Sequence, residues 1–180
     1  MRPRAGIGYT LLELLVVVAI LSIAALVALP VSQRVTEAGA DLAADDVAHA
    51  LRFARDEARR SGEQRLFTCD AGANTITVGT VDSDKDTSAP SKDKDRASLH
   101  VATLDAAPAG SAMTLVSCSF TFADNSSAMT VVFDTTGSPV RGIGKGPARE
   151  EALRAGSIVL GAGHVRRTIN LAVTGRITRS

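Results

Sequence analysis

The sequence has no tryptophan and one tyrosine, and aromatic residues make up only 3% of it. A hydrophobic core must therefore be built mainly from Val, Leu, Ile and Ala. Cys69 and Cys118 are too few for a disulfide-rich scaffold, and no Cys-x-x-C pair or Cys/His cluster indicates a zinc site. In an oxidising compartment the two cysteines either form one bridge or stay separately buried as thiols, and the sequence leaves both open.

The sequence also lacks any grouping of side chains that is typical of catalysis. His100 and His164 have no Ser, Cys or Asp at a spacing that indicates a catalytic constellation. His49 falls among polar positions of a predicted helix, which predicts a solvated surface histidine. We therefore expect neither an enzyme nor a bound cofactor.

A weak calcium motif lies in a polar stretch near the middle of the chain. Asp82, Asp84 and Asp86 alternate with other residues, as carboxylate ligands of calcium often do. A full EF-hand loop needs glycine at its sixth place and glutamate at its twelfth, where this chain has Thr87 and Asp93. A solvated loop without metal is the favoured interpretation.

A long apolar run follows two arginines at the N-terminus. Between Leu14 and Val31 the only clearly polar side chain is that of Ser22. Counted from Leu11, the run approaches the roughly 20 residues that a membrane-spanning helix needs. The arginines before the run predict a cytoplasmic N-terminus. The residues after Pro30 then lie on the far side of the membrane.

Three simpler interpretations compete with this anchor. A core helix is disfavoured because a helix that is apolar on all sides is unusual at the start of a small domain. A secretory signal has a shorter apolar region that ends at a small-x-small cleavage site, whereas this run ends at Leu29-Pro30. A plain signal anchor fits the hydropathy, but it does not explain Glu13.

Glu13 places an ionisable group just inside the apolar run, where an unpaired carboxylate is costly. Cleavage after Gly8 would give Tyr9 a free α-amine four residues before Glu13, on the same helix face. That amine would pair with Glu13 of its own chain or of a neighbouring chain, and the second arrangement would set the stagger between packed subunits. The same cleavage leaves the apolar run in the mature protein.

Residues 8–20, Gly-Tyr-Thr-Leu-Leu-Glu followed by Leu-Leu-Val-Val-Val-Ala-Ile, resemble the class III signal of type IV prepilins and type II secretion pseudopilins. The resemblance implies that a prepilin peptidase cleaves after Gly8 and methylates Tyr9, where Phe is usual. It also implies that Glu13 aids docking into a filament at an inner-membrane assembly platform. Pro30 falls where type IV pilins commonly carry a helix-disrupting proline.

The rest of the chain predicts one amphipathic helix followed by strands. The helix covers residues 32–61 and ends at Ser61-Gly62. Its apolar stripe consists of Ala43, Val47, Ala50, Leu51, Ala54 and Ala58. Runs rich in Val, Ile and Thr predict strands at Leu66–Cys69, Asn74–Val81, Ser98–Leu104, Met113–Phe122, Met129–Phe133, Ser157–Leu160 and Thr168–Val173. Only Pro147–Ala155 offers a second helix, so the order of elements predicts an α+β fold with an antiparallel β-sheet head.

The segments define a pilin-like organisation. We expect a leader over residues 1–8, a transmembrane anchor over 9–31, an amphipathic helix over 32–62 and a β-rich soluble head over 63–180. Asp41–Gly62 contains Ala-Leu-x-x-Ala-Arg-x-Glu-Ala and resembles the first head helix of GspH/FimT-type minor pilins; Val131–Pro139 and Thr174–Ile177 resemble their late strands and Gly-Arg ending. The resemblance implies a structural subunit that packs with other pilins, in a type II secretion pseudopilus or a type IV pilus. It implies a single-pass protein of the bacterial inner membrane with a periplasmic head.

The C-terminal quarter of the chain is basic. Residues 141–180 contain eight Arg and Lys and two Glu, for a net charge of +6. FimT-type pilins carry an arginine motif associated with DNA binding, and this resemblance makes Arg166, Arg167, Arg176 and Arg179 candidate DNA contacts. Two residues separate Arg176 from Arg179 where the family has one, which places them on opposite faces of an extended strand. The alternative is a solvated arginine edge that protects the last strand from aggregation.

Overall fold

The computed structural model describes residues 11–81, 100–104, 113–142 and 149–180, without the side chains of 24–36 and 100–102. Within these ranges one long helix, α1 (Leu11–Ser61), precedes all the strands. The strands are β1 (Arg65–Asp70), β2 (Thr75–Thr80), β3 (His100–Thr103), β4 (Thr114–Phe122), β5 (Ser127–Ala128), β6 (Thr130–Phe133), β7 (Pro139–Val140), β8 (Leu153–Ala162), β9 (Val165–Ala172) and β10 (Ile177–Arg179). The α+β prediction is confirmed.

The strands form two antiparallel sheets. The first sheet has the order β3-β2-β1-β6-β7 and the second sheet has the order β10-β9-β8-β4-β5. Most neighbouring strands are joined by short connections, as expected for sheets that follow one helix in a block. Each predicted strand overlaps an observed one: those at 66–69 and 157–160 lie within β1 and β8, and the other five extend past an end of β2, β3, β4, β6 or β9. Strands β5, β7 and β10 were not predicted.

Helix α1 contains 51 residues and is therefore about 77 Å long. It runs through Pro30 and ends where Ser61-Gly62 predicts, because Gly62 adopts a positive φ of 68° that ordinary residues disfavour. All six residues of the predicted apolar stripe are buried. The small side chains of this stripe let α1 approach strands of both sheets closely.

Phenylalanine side chains fill the core between the sheets. Phe67, Phe120, Phe122 and Phe133 are completely buried. The rings of Phe67 on β1 and Phe120 on β4 meet edge to face with centroids 6.0 Å apart. Cys69 on β1 forms a disulfide with Cys118 on β4, so a covalent bond also connects the first sheet to the second. The head is thus one unit into which the second half of α1 is packed.

The helix suggested over Pro147–Ala155 is wrong where the structure describes it. Arg149 and Glu150 form a short 3-10 turn, and β8 begins at Leu153. Leu153 is buried and lies opposite Phe122 of β4. Leu, Arg and Ala favour helices when considered alone, but pairing with β4 determines the conformation here.

Candidate functional site

The first half of α1 presents an apolar surface that the rest of the described chain does not cover. Between residues 11 and 23 its large hydrophobic side chains are 46% to 82% exposed. The polar exceptions are Glu13 and Ser22, and the Ser22 hydroxyl donates a hydrogen bond to the Val18 carbonyl at 2.8 Å. Contiguous apolar surface of this size marks a contact with a membrane or another protein.

Glu13 lies in the first turn of α1 and is exposed. A carboxylate at this end of a helix is favoured by the partial positive charge of the free backbone amides. Gly8 and Tyr9 lie outside the described residues. In the part of the chain that the structure describes, no helical stretch combines the length and the apolar character needed to cross a membrane.

The calcium candidates Asp82, Asp84 and Asp86 also lie outside the described residues. Among the residues that are described, no three His, Cys, Asp or Glu side chains come together as a metal site. The described geometry therefore adds no metal candidate.

Two of the four candidate arginines face α1 and form ion pairs with it. Arg167 Nε on β9 donates to Asp41 Oδ1 at 2.6 Å, and Arg179 Nη1 on β10 lies 2.5 Å from Asp45 Oδ1. Asp41 and Asp45 are one helical turn apart, so the two pairs stand side by side. They border an open cleft of about 480 Å³, which Ala44 and Ser180 also line. We call these four charged residues, which connect α1 to the hairpin formed by β9 and β10, the hairpin clamp.

The contact between Arg167 and Asp41 stabilises the charged forms of both groups. The hydrogen bond from Arg167 holds the pKa of Asp41 below its usual value, with further contributions from the positive charges of Arg167 and Arg179. The same hydrogen bond raises the pKa of Arg167. The Arg167–Asp41 ion pair is therefore present at neutral pH.

The other two candidate arginines are exposed and form no ion pair with α1 in the described residues. Arg166 Nη1 donates to the backbone carbonyls of Gly163 and Val165 at 3.1 and 3.2 Å. Arg176 is exposed in the turn before β10. Neither arginine forms an ion pair with a carboxylate of the described chain. Ion pairs to α1 thus distinguish Arg167 and Arg179 from Arg166 and Arg176.

The sequence did not indicate the partners of Arg167 and Arg179. Asp41 lies 126 residues before Arg167, and no local pattern connects helix residues to a strand so distant. The spacing of Asp41 and Asp45 places them on one side of the helix. That spacing is the signal available in the sequence, and it does not identify a partner.

A long helix whose exposed apolar start carries a prepilin-type motif, joined to an antiparallel β head, defines a protein of the minor pilin and pseudopilin class. Residues 7–29 match the model of the prokaryotic N-terminal methylation motif, and residues 43–175 match the model of the family described as type II transport protein GspH. The second match covers most of the chain, which therefore belongs to the GspH family.

The solved structures that are similar to the chain include a minor pilin and a minor pseudopilin. The type IV minor pilin FimU of Pseudomonas aeruginosa strain PAO1 is 14% identical, with a TM-score of 0.49 over 78% of this chain and 87% of FimU. The minor pseudopilin EpsH from the type 2 secretion system of Vibrio cholerae is 12% identical, with a TM-score of 0.49 over 78% of this chain and 95% of EpsH. No curated protein matches the sequence at a significant level.

Proposed function

We propose that the chain is a structural subunit of a filament assembled from the bacterial inner membrane, either a type II secretion pseudopilus or a type IV pilus. The observation that carries this proposal is the N-terminal methylation motif over residues 7–29, joined through α1 to a GspH head. The family's description as a type II transport protein favours the pseudopilus. The role is mechanical and requires no reaction by this chain.

The exposed start of α1 supports this role. Cleavage by the prepilin peptidase after Gly8 leaves Tyr9 as a methylated N-terminus and keeps the apolar residues in the mature chain. Residues 9–31 then serve as a single-pass membrane anchor with the head in the periplasm, and the same apolar surface packs against other pilins in the filament. Glu13 pairs with a Tyr9 amine, which removes the cost of a lone carboxylate among apolar helices.

A clean deletion tests the proposal when three outputs are scored in parallel: exoprotein secretion, twitching motility and natural transformation. For a pseudopilus subunit, we expect secretion to fall at least tenfold while the other two outputs stay unchanged. Loss of twitching with normal secretion would assign the chain to a type IV pilus. If wild-type levels of all three persist, the filament role is wrong. Re-expression of the wild-type gene is the control for effects on neighbouring genes.

DNA capture at a filament tip is the second candidate function, and one observation favours it. The strands of the second sheet contain no Asp or Glu, and exposed Arg166 and Arg176 hold no carboxylate partner among the described residues. Such arginines are available for phosphate groups. DNA affinity that falls steeply with salt and with Arg166→Ala/Arg176→Ala, while Arg167→Ala/Arg179→Ala changes it less, would support this function. No binding at low salt would exclude it.

A further inference from the structure

At the point where α1 enters the head, polar contacts lie beside the buried alanine face. Ala40 is the first α1 residue that the structure shows as fully buried, whereas Glu37 and Ala38 are exposed. Asp41 and Asp45 flank this entry point, and their partners come from the C-terminal hairpin β9–β10. Gly39 lies two residues before Asp41, and a glycine inside a helix weakens it by about 1 kcal/mol relative to alanine. A weak helical turn therefore adjoins the hairpin clamp.

The hairpin is attached to α1 at two separated places. At its closed end, Arg55 Nη1 donates to the Gly175 carbonyl at 3.1 Å. At its open end, the ion pairs to Asp41 and Asp45 form the second attachment. Residues 41 and 55 are about 21 Å apart along a helix, and residues 167 and 173 are about 20 Å apart along a strand. Strand β9 therefore runs beside α1 over the whole distance between the two attachments.

The hairpin is packed differently between the two attachments and at the hairpin clamp. Between them, Ile169 and Leu171 of β9 are buried against the core. At the hairpin clamp, an open cleft of about 480 Å³ adjoins the charged groups, so the ion pairs there supplement the packing of buried Ala44. Ion pairs between partly exposed groups contribute little to the free energy of unfolding. Their fixed geometry nevertheless restrains how the helix leaves the head.

We infer that Asp41, Asp45, Arg167 and Arg179 are positioning residues that set the direction in which α1 leaves the head, and that incorporation into the filament depends on them. The inference rests on the proposed function, because direction matters only if neighbouring subunits pack their helices at one stagger. The partner surface is the apolar start of α1 in the adjacent subunit. A head held at another angle would collide with its neighbours while that helix docks.

The test compares full-length variants in a strain that lacks the native gene. Arg179→Asp removes one ion pair and places two carboxylates together. Asp45→Arg combined with Arg179→Asp restores a pair with the charges exchanged. Arg176→Asp, which makes the same change in charge outside the clamp, is the matched control. Filament incorporation is measured by immunoblot of filaments sheared from the cells. Hydrogen exchange of the detergent-solubilised chain is followed for peptides that cover residues 37–45 and strand β8.

We expect Arg179→Asp to speed exchange over 37–45 at least fivefold, to leave β8 unchanged, and to lower incorporation at least fivefold. The exchanged pair should restore both quantities, and Arg176→Asp should change neither. Normal incorporation of Arg179→Asp would overturn the inference while leaving the filament role intact. Slow exchange over 37–45 in that variant would overturn it too. Absence of the wild-type chain from filaments would instead contradict the proposed function itself.

Discussion

The two described halves of α1 share one helical geometry but place their apolar residues in opposite environments. Residues 11–23 carry large Leu, Ile and Val side chains that are 46% to 82% exposed. Residues 40–58 carry mostly alanine on the buried face, and these side chains are 0% to 8% exposed. Small residues suit a face that meets two sheets within the chain, whereas large ones suit contacts with lipid and other subunits. One helix therefore serves the fold in its second half and assembly in its first.

The largest effect should come from the one carboxylate in the exposed half. Replacing Glu13 by Leu should abolish incorporation into filaments, because the N-terminal amine loses its partner, while head stability stays unchanged. Immunoblots of sheared filaments and thermal unfolding of the purified chain measure the two quantities. Asp46→Leu, which removes a carboxylate at an exposed site on the same helix outside the hairpin clamp, is the matched control. Normal incorporation of Glu13→Leu would remove the distinction between the two halves.

The buried second half of α1 packs on two sheets that the Cys69–Cys118 disulfide connects. The bridge spans 49 residues, so its loss should lower the free energy of unfolding by about 4 kcal/mol through greater entropy of the unfolded chain. Urea denaturation of the Cys69→Ser/Cys118→Ser chain measures the change. Reductant should destabilise the wild type and leave the double variant unaffected; equal stability of the two chains would contradict this role.

A pair of substitutions compares the two halves directly. Ala50 is fully buried against the sheets, so Ala50→Leu should destabilise the head by about 1–3 kcal/mol through overpacking. Leu15→Ala, at an exposed site, should change head stability by no more than about 0.5 kcal/mol. Chemical denaturation followed by circular dichroism measures both. If Leu15→Ala were the more destabilising change, the first half of α1 would have to pack on its own head.

A fall in pH should have the smallest effect, and it should lower the stability of the head and the second half of α1. The pKa of Asp41 is lowered chiefly by its hydrogen bond from Arg167, that of Glu57 by Arg60, and that of Asp124 by Ser126. Carboxyls with depressed folded pKa values stabilise the fold above their unfolded pKa and lose that contribution as pH falls through the folded value. The melting temperature should therefore be nearly constant between about pH 7 and 5 and fall below about pH 4.

Arg167→Gln should reduce this acid sensitivity, because Asp41 then has a pKa closer to its unfolded value. Melting curves of both chains from pH 7 to pH 3 measure the difference. A wild-type chain that becomes more stable as the pH falls below 4 would contradict the assignment.

Features that depend on local pattern were predictable from the sequence. The alanine stripe, the stop at Ser61-Gly62 and the positions of the longer strands follow from periodicity and turn residues. The start of β8 at Leu153 was not predictable, because pairing with distant Phe122 overrides local helix propensity. The two-residue strands β5 and β7 are too short to leave a pattern.

The candidate site was predictable only in part for the same reason. The Gly8–Glu13 motif is contiguous, so one short segment contains all of its information. The hairpin clamp joins residues that lie 126 and 134 positions apart, and nothing near Arg167 or Arg179 in the sequence indicates that they meet α1. The pairing of Cys69 with Cys118 likewise depends on how the two sheets pack.

The proposed filament role depends most on the state of the N-terminus, since cleavage after Gly8 would create the amine that we propose pairs with Glu13. Intact mass and N-terminal peptide mass spectrometry of the chain purified from its own membranes measures that state directly. We predict a chain that begins at Tyr9 with a methylated α-amine and retains residues 11–23. A mature chain that begins after residue 23, or one that retains residues 1–8, would contradict the assignment of the first half of α1 to assembly.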